Sequence, residues 1–208
     1  MIRFEIKNIF RLAAGLPADP QRMRLFKSKE KNTFHYVTTV TFRRLPIFRR
    51  DEPCQIFVDV LDEIKKANPF KLVGYVIMPD HVHLILNPFE CEISVVMRKI
   101  KGKSARLILD WLKVNNYAES LSKLVIQSSK QTHAVWQKEF SAIDLWSPKF
   151  INQKLNYVHL NPVRAGLCDH PAKWKWSSCR AYLPHATGEV PIEIDWRGYY
   201  EEGGQARR

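Results

Sequence analysis

The order of residue patterns along the chain predicts an α+β fold in which helices pack on an antiparallel sheet. Three observations carry this expectation. Tyr36 to Phe42 is a continuous β-branched and aromatic run, the composition of a strand. Two apolar runs, Val73 to Met78 and His81 to Leu86, meet at the turn signal Pro79-Asp80. Between and after these lie stretches whose apolar residues recur at helical spacing. Strand, helix, strand pair, helix, strand is the order of such a sandwich.

Residues 1–31 are basic and broken by Gly15, Pro17 and Pro20, so they read as an arm, with room for a short helix from Phe4 to Ala14. After the first strand, Asp51 and Pro53 supply a helix start. Ile56, Phe57, Val60, Leu61 and Ile64 follow at 3–4 spacing until Asn68-Pro69 stops the helix. The runs around Pro79-Asp80 are two strands joined by a tight turn, or one kinked strand, closed by Asn87-Pro88. A second amphipathic helix runs from about Ile93 to Lys113, with Ile93, Val96, Met97, Ile100, Leu107, Ile108 and Trp111 on its apolar face. Lys99, Lys103 and Arg106 fall within about 60° of one another on another face, a stripe suited to a phosphate backbone or to ordinary solvent.

Residues 114–132 are polar and read as a loop with part of a helix, and His133 to Leu145 as one or two strands. Ser147-Pro148 is an N-cap with proline in the first turn. The helix it opens is expected to end near Pro162, because the residue before proline avoids the helical region. From Pro184 the chain is expected to run extended across the surface. The organisation is thus an arm (1–31), one domain (32–183) and a tail (184–208).

The chain has 208 residues, a formal net charge of +12 and a pI of about 9.6, a balance that points to a polyanionic partner. Residues 1–50 hold twelve Lys or Arg against three acids, and residues 98–106 hold five against none. Cys54, Cys91, Cys168 and Cys179 lack CxxC spacing, which argues against a zinc ribbon or dithiol redox site and for reduced thiols. No apolar run approaches the roughly 20 residues of a membrane span, and the N-terminus lacks a signal-peptide apolar core. A cytoplasmic protein is expected.

If residues 81–86 form a strand, His81, His83 and Ile85 share one face and Val82, Leu84 and Leu86 the other. Imidazoles at i and i+2 are rooted about 7 Å apart and can converge on one ion. The pattern is short, and two unrelated histidines at a strand end would look the same. On the last helix, Ile151, Leu155 and Val158 form the buried stripe. Lys154, Tyr157 and Asn161 lie together on one flank and can face one site. His159 projects elsewhere, as a structural or surface histidine.

Taken in order, His81-Val82-His83 after a strand and Tyr157-Val-His-Leu-Asn161-Pro162-Val163-Arg164-Ala165-Gly166-Leu167 resemble the HUH single-tyrosine transposases (IS200-like). The REP-associated tyrosine transposases are the most similar branch. Trp136-Gln137 and Trp174-Lys-Trp176-Ser-Ser also look like elements of that family, and the likeness covers roughly residues 34–183. It implies a ferredoxin-like antiparallel sheet with the His81–His83 strand central and the tyrosine helix packed beside it. It implies His81, His83 and Asn161 as ligands of a divalent ion, Mg²⁺ or Mn²⁺, and Tyr157 as the nucleophile. The implied activity is cleavage and strand transfer of single-stranded or hairpin DNA through a 5′-phosphotyrosine, by a monomer or a homodimer. Third-ligand identity varies in the wider superfamily.

These residue types suit the chemistry. A divalent cation offsets charge that develops on a phosphodiester under attack. A phenol, with an ordinary pKa of about 10, is a poor nucleophile at neutral pH, and a nearby cation favours phenolate. Lys99, Lys103, Arg106, Lys154 and Arg164 are the expected phosphate contacts. Two other classes compete. A non-catalytic DNA-binding regulator on the same fold would need neither Tyr157 nor an ion. A His-pair metallohydrolase unrelated to DNA would leave the basic charge and the tyrosine helix without a role.

Overall fold

A computed structural model describes residues 32–126, 132–183 and 190–195; the basic arm, with its expected short helix, lies outside the described residues. The strands are β1 (Phe34–Val40), β2 (Phe70–Met78), β3 (His81–Pro88) and β4 (Ser141–Leu145). The α-helices are α1 (Asp51–Ala67), α2 (Ile93–Val114), α3 (Ala118–Lys123) and α4 (Pro148–Arg164). Pairing is antiparallel throughout, in the order β2-β3-β1-β4, so β3 is central, between β2 and β1. Pro79-Asp80 closes a hairpin in which Met78 pairs with His81, so the two apolar runs are two strands. Residues 133–145 yield one strand, β4, on the far side of β1.

Strand alternation sends successive side chains to opposite faces. On one face Leu72, Tyr75, Ile77, Val82, Leu84 and Leu86 form a core with Phe57 and Leu61 of α1 and Met97 and Ile100 of α2. On the other, Tyr36, Val76 and Ile85 meet Ile151, Leu155 and Val158 of α4. Each fully buried aliphatic side chain contributes about 1.5–3 kcal/mol, so these two apolar sets fix which helix covers which face. Acidic Asp51 and Glu52 start α1 and basic Lys65 and Lys66 end it, in the sense that the helix dipole favours. Gly74 permits the close approach of α4, since a Cβ there would lie 2.5 Å from Leu155 Cδ1.

Two expectations need correction. Helix α4 does not stop before Pro162 but contains it and continues to Arg164. A proline costs its turn the hydrogen bond of one missing N–H, and the burial of Val158, His159, Leu160 and Pro162 holds that turn in place. The stop comes at Gly166, whose φ is +68°. Gly166 N–H donates to Val163 O (3.0 Å) and Leu167 N–H to Pro162 O (2.9 Å), the paired bonds of a glycine C-cap.

The tail, expected on the surface, contributes Ile192 and Ile194 to the larger core. Asp195 clamps it to the edge strand, accepting from Leu72 N–H (2.8 Å) while its own N–H donates to Leu72 O (2.7 Å). Among the described residues no helix is long and apolar enough to cross a membrane. All four cysteines are free thiols.

Candidate active site

The hairpin and α4 bring five of the expected residues into one region. His81 and His83 project from β3 toward the α4 side, their ring centroids 4.8 Å apart. Tyr157 sets its ring edgewise against His83, with centroids 5.7 Å apart. Lys154 Nζ lies 5.9 Å from the Tyr157 ring and 4.9 Å from that of Tyr36. Arg164, one turn beyond Asn161, places its guanidinium 5.3 Å from the Tyr157 ring. The phenol thus stands between the imidazole pair and two cations. Asn161 donates through Nδ2 to Tyr157 O at 3.4 Å, a long contact that ties its amide nitrogen back to its own helix.

Both imidazoles are oriented through the same ring atom. His81 Nδ1 donates to Asp80 Oδ1 (2.6 Å). His83 Nδ1 is shared by the hydroxyls of Tyr36 (2.9 Å) and Thr38 (2.8 Å) on β1. At His81 the carboxylate keeps the proton on Nδ1, which leaves Nε2 with its lone pair, the tautomer a metal ligand needs. Burial, aided by the charges of His81 and Lys154, pushes His83 well below the ordinary histidine range, so it stays neutral. Among the described residues no cluster of three or more His, Cys, Asp or Glu side chains is placed to hold an ion. The two imidazole nitrogens are a donor pair that suits an ion completing its shell with oxygen ligands and water.

Asp80 is itself held from two sides. Arg44 Nη1 reaches its Oδ2 at 3.0 Å, and its backbone carbonyl accepts from Thr41 N–H (2.9 Å) and Thr41 Oγ1 (2.8 Å). Its carboxyl lies below the ordinary range, first through the hydrogen bond from His81 and also through Arg44. Arg44 adopts φ +54°, a conformation that costs a non-glycine residue about 1–3 kcal/mol. Tyr36, Thr38, Arg44 and Asp80 were not singled out from sequence. Asp80 was within reach, since it directly precedes His81. Tyr36 and Thr38 depend on the register of β1 against β3, in which Thr38 pairs with His83, and no local pattern specifies that.

The structure does not bring Lys99, Lys103 and Arg106 to this site. They lie on α2, in the helix layer behind the opposite face of the sheet. Lys99 donates to Asn68 and Lys103 to Glu63, which tie α2 to α1 and its end, while Arg106 is exposed. Helical periodicity identifies the stripe but not the layer in which its helix packs.

His159 is structural, as one of its two expectations had it. It is buried, with Nε2 2.9 Å from Ser178 Oγ, and burial pushes its pKa down to about 3. Ser178 Oγ in turn accepts from Tyr75 N–H (2.9 Å), so His159 fastens α4 to β2. The tryptophans are likewise scaffold. Trp136 Nε1 donates to Ser104 Oγ (3.1 Å), Trp174 Nε1 to Ile77 O (2.9 Å) and Trp176 Nε1 to Asp51 Oδ1 (2.8 Å).

Comparison with known proteins identifies the family. The family model described as "Transposase IS200 like" matches residues 28–161. A Haemophilus influenzae protein named for the REP-associated tyrosine transposases is 25% identical over 167 residues, 73% of this chain and 85% of its own. The REP-associated tyrosine transposase of Escherichia coli K12 is 24% identical over 146 residues, 69% of this chain and 73% of its own. A solved REP-associated tyrosine transposase, bound to a REP hairpin, superposes with a TM-score of 0.58 at 20% identity. That likeness spans 81% of this chain and 93% of the solved one, and it is a likeness of fold. The family match spans more than half of the chain and includes both histidines, the tyrosine and Asn161: this protein belongs to the IS200-like transposase family.

Proposed function

We propose that this protein is a cytoplasmic enzyme that cleaves and rejoins single-stranded DNA at hairpin or REP-like sites, through a covalent link to Tyr157. The observation that carries the reading is the meeting of Tyr157 with an imidazole pair whose Nδ1 atoms are already engaged. His81, His83 and Asn161 would hold a divalent cation, Mg²⁺ or Mn²⁺. Bound there, such an ion supplies Lewis-acid stabilisation of charge on a phosphate oxygen.

The chain's own residues do the rest. Tyr157 Oη attacks phosphorus, forming the tyrosyl–phosphate bond as the bond to the 3′ oxygen breaks. The phenolic proton leaves to solvent, and the departing oxygen takes up a proton to become a free 3′-hydroxyl. The product is a 5′-phosphotyrosine. Because one phosphodiester replaces another, a second 3′-hydroxyl can reverse the exchange and rejoin DNA without an outside energy source. Lys154 and Arg164 flank the tyrosine ring, where positive charge favours the incoming phosphate. Asp80 keeps His81 in the ligand tautomer, and Tyr36 and Thr38 hold the His83 ring in place.

The test is a covalent-adduct assay with labelled hairpin DNA taken from the flanks of the gene. A denaturant-resistant protein–DNA band that requires Mg²⁺ or Mn²⁺, vanishes with chelator and is absent in Tyr157→Phe is the expected result. Tight binding with no adduct would replace this reading with that of a non-catalytic DNA-binding regulator. No binding, with metal-dependent turnover of a small neutral substrate, would favour the metallohydrolase instead.

A further inference from the structure

The contacts around Tyr157 continue along α4 to a residue the chemistry above does not use. Trp146 follows the last residue of β4 and precedes the N-cap Ser147, and it is 79% exposed. Tryptophan is the largest side chain, and its exposure forfeits most of the burial that usually retains it in a fold. The other two tryptophans of the scaffold on this side of the chain, Trp174 and Trp176, donate their indole N–H groups to Ile77 and Asp51. Trp146 instead lies against Phe150, with ring centroids 4.8 Å apart and planes inclined by 50°.

From there a run of rings and cations leads to the nucleophile. Lys154 Nζ lies 5.5 Å from the Phe150 ring, 4.9 Å from Tyr36 and 5.9 Å from Tyr157. Arg164 follows at 5.3 Å from Tyr157. Residues 150, 154, 157, 161 and 164 recur at 3–4 spacing, so they form one ridge of α4, and Trp146 stands just before that helix begins. With a rise of about 1.5 Å per residue, Phe150, against which Trp146 lies, is about 10 Å from Tyr157 along the axis. That equals about three stacked nucleotides at about 3.4 Å each, and fewer in an extended strand.

We infer that Trp146, backed by Phe150, is a stacking platform for an unpaired base of the single-stranded DNA that Lys154 and Arg164 lead to Tyr157. The occupant follows from charge and shape. Aromatic faces alternating with cations match a polyanion that presents flat bases, and the chain's net charge is +12. Duplex DNA hides its base faces, so the platform selects single strands. It does so without reading sequence, because every base has a face to stack. The inference rests on the proposed reaction for the direction of the strand, but its binding step needs neither ion nor chemistry.

The experiment measures fluorescence anisotropy of labelled 20-nucleotide oligothymidylate, and of a duplex of equal length, with the full chain in chelator. Trp146→Ala is expected to weaken oligothymidylate binding by about tenfold or more, the usual consequence of losing one base–aromatic stack. Trp146→Phe is expected to recover most of that loss, and duplex affinity to stay unchanged. An unchanged melting temperature of Trp146→Ala, expected for so exposed a side chain, separates lost stacking from lost folding. Wild-type affinity in Trp146→Ala, an equal loss on duplex, or no oligothymidylate binding by the native protein would each overturn the platform. The two readings fail separately. A native protein that binds through Trp146 but never forms an adduct removes the transferase and keeps the platform. Adduct formation with Trp146→Ala binding normally does the reverse.

Discussion

The two faces of the sheet are built from the same strands yet solve opposite problems. Val82, Leu84 and Leu86 send fully buried side chains into an apolar core that α1 and α2 close. One residue over on β3, His81 and His83 share their face with a smaller apolar set that α4 covers, and their rings bond to Asp80, Tyr36 and Thr38. Tyr36 and Thr38, neighbours of Val37 on β1, spend their hydroxyls on His83 rather than on core. The difference teaches that rigidity and chemistry share one backbone here: the closed face fixes the strands, and the open face inherits their precision. A site carried on strands is held more tightly than one carried on loops.

The sharpest way to break the comparison is to mutate adjacent residues on β3. His83→Gln is expected to abolish adduct formation while leaving the urea unfolding midpoint nearly unchanged, since glutamine still offers a partner to Tyr36 and Thr38. Leu84→Ala is expected to cost about 2–5 kcal/mol of stability and to retain the adduct when folded. Similar effects of both changes on both readouts would mean that the two faces are not separable.

Asp80→Asn probes the orientation of the imidazole pair one step back from it. Hydrogen-bond partners of ligating histidines are typically worth about 10–100-fold in metal affinity or activity, and a loss of that size in adduct rate, partly recovered at higher Mn²⁺, is expected. A loss that added ion does not touch would make Asp80 purely structural.

A smaller effect concerns pH. The folded-state value of His159, about 3, lies below the ordinary unfolded value. Between the two, the unfolded chain takes up a proton that the folded chain excludes. Stability is therefore full above about pH 6.5 and falls as pH drops toward 3. Burial lowers His35 and His83 in the same sense. His159→Gln, which keeps a donor for Ser178, is expected to make the fall shallower by up to about 1.4 kcal/mol per pH unit, read from urea midpoints at pH 7, 5 and 4. An unaltered slope would place the acid sensitivity elsewhere.

The smallest expected effect separates the cations of the two layers. Lys154→Ala with Arg164→Ala is expected to reduce the salt slope of single-strand binding by about 1.4, two contacts at about 0.7 each. Lys103→Ala with Arg106→Ala is expected to change it less, because both residues stand behind the other face. A larger change from the α2 pair would bring DNA around the sheet edge to that helix.

The sequence by itself determined that His81 and His83 share a face, since strand side chains alternate with a period of two. It determined the flank of α4 that carries Lys154, Tyr157 and Asn161, since helical phase is equally local. The motif order then pointed to the family. Only the tertiary structure decided which hydroxyls orient His83, because that rests on the register between strands 45–47 residues apart in sequence. Only the tertiary structure put Lys99, Lys103 and Arg106 behind the opposite face, tucked Ile192 and Ile194 into the core and left Trp146 exposed. Periodicity describes a segment's own geometry; which segments meet is set by how their buried faces compete for one another.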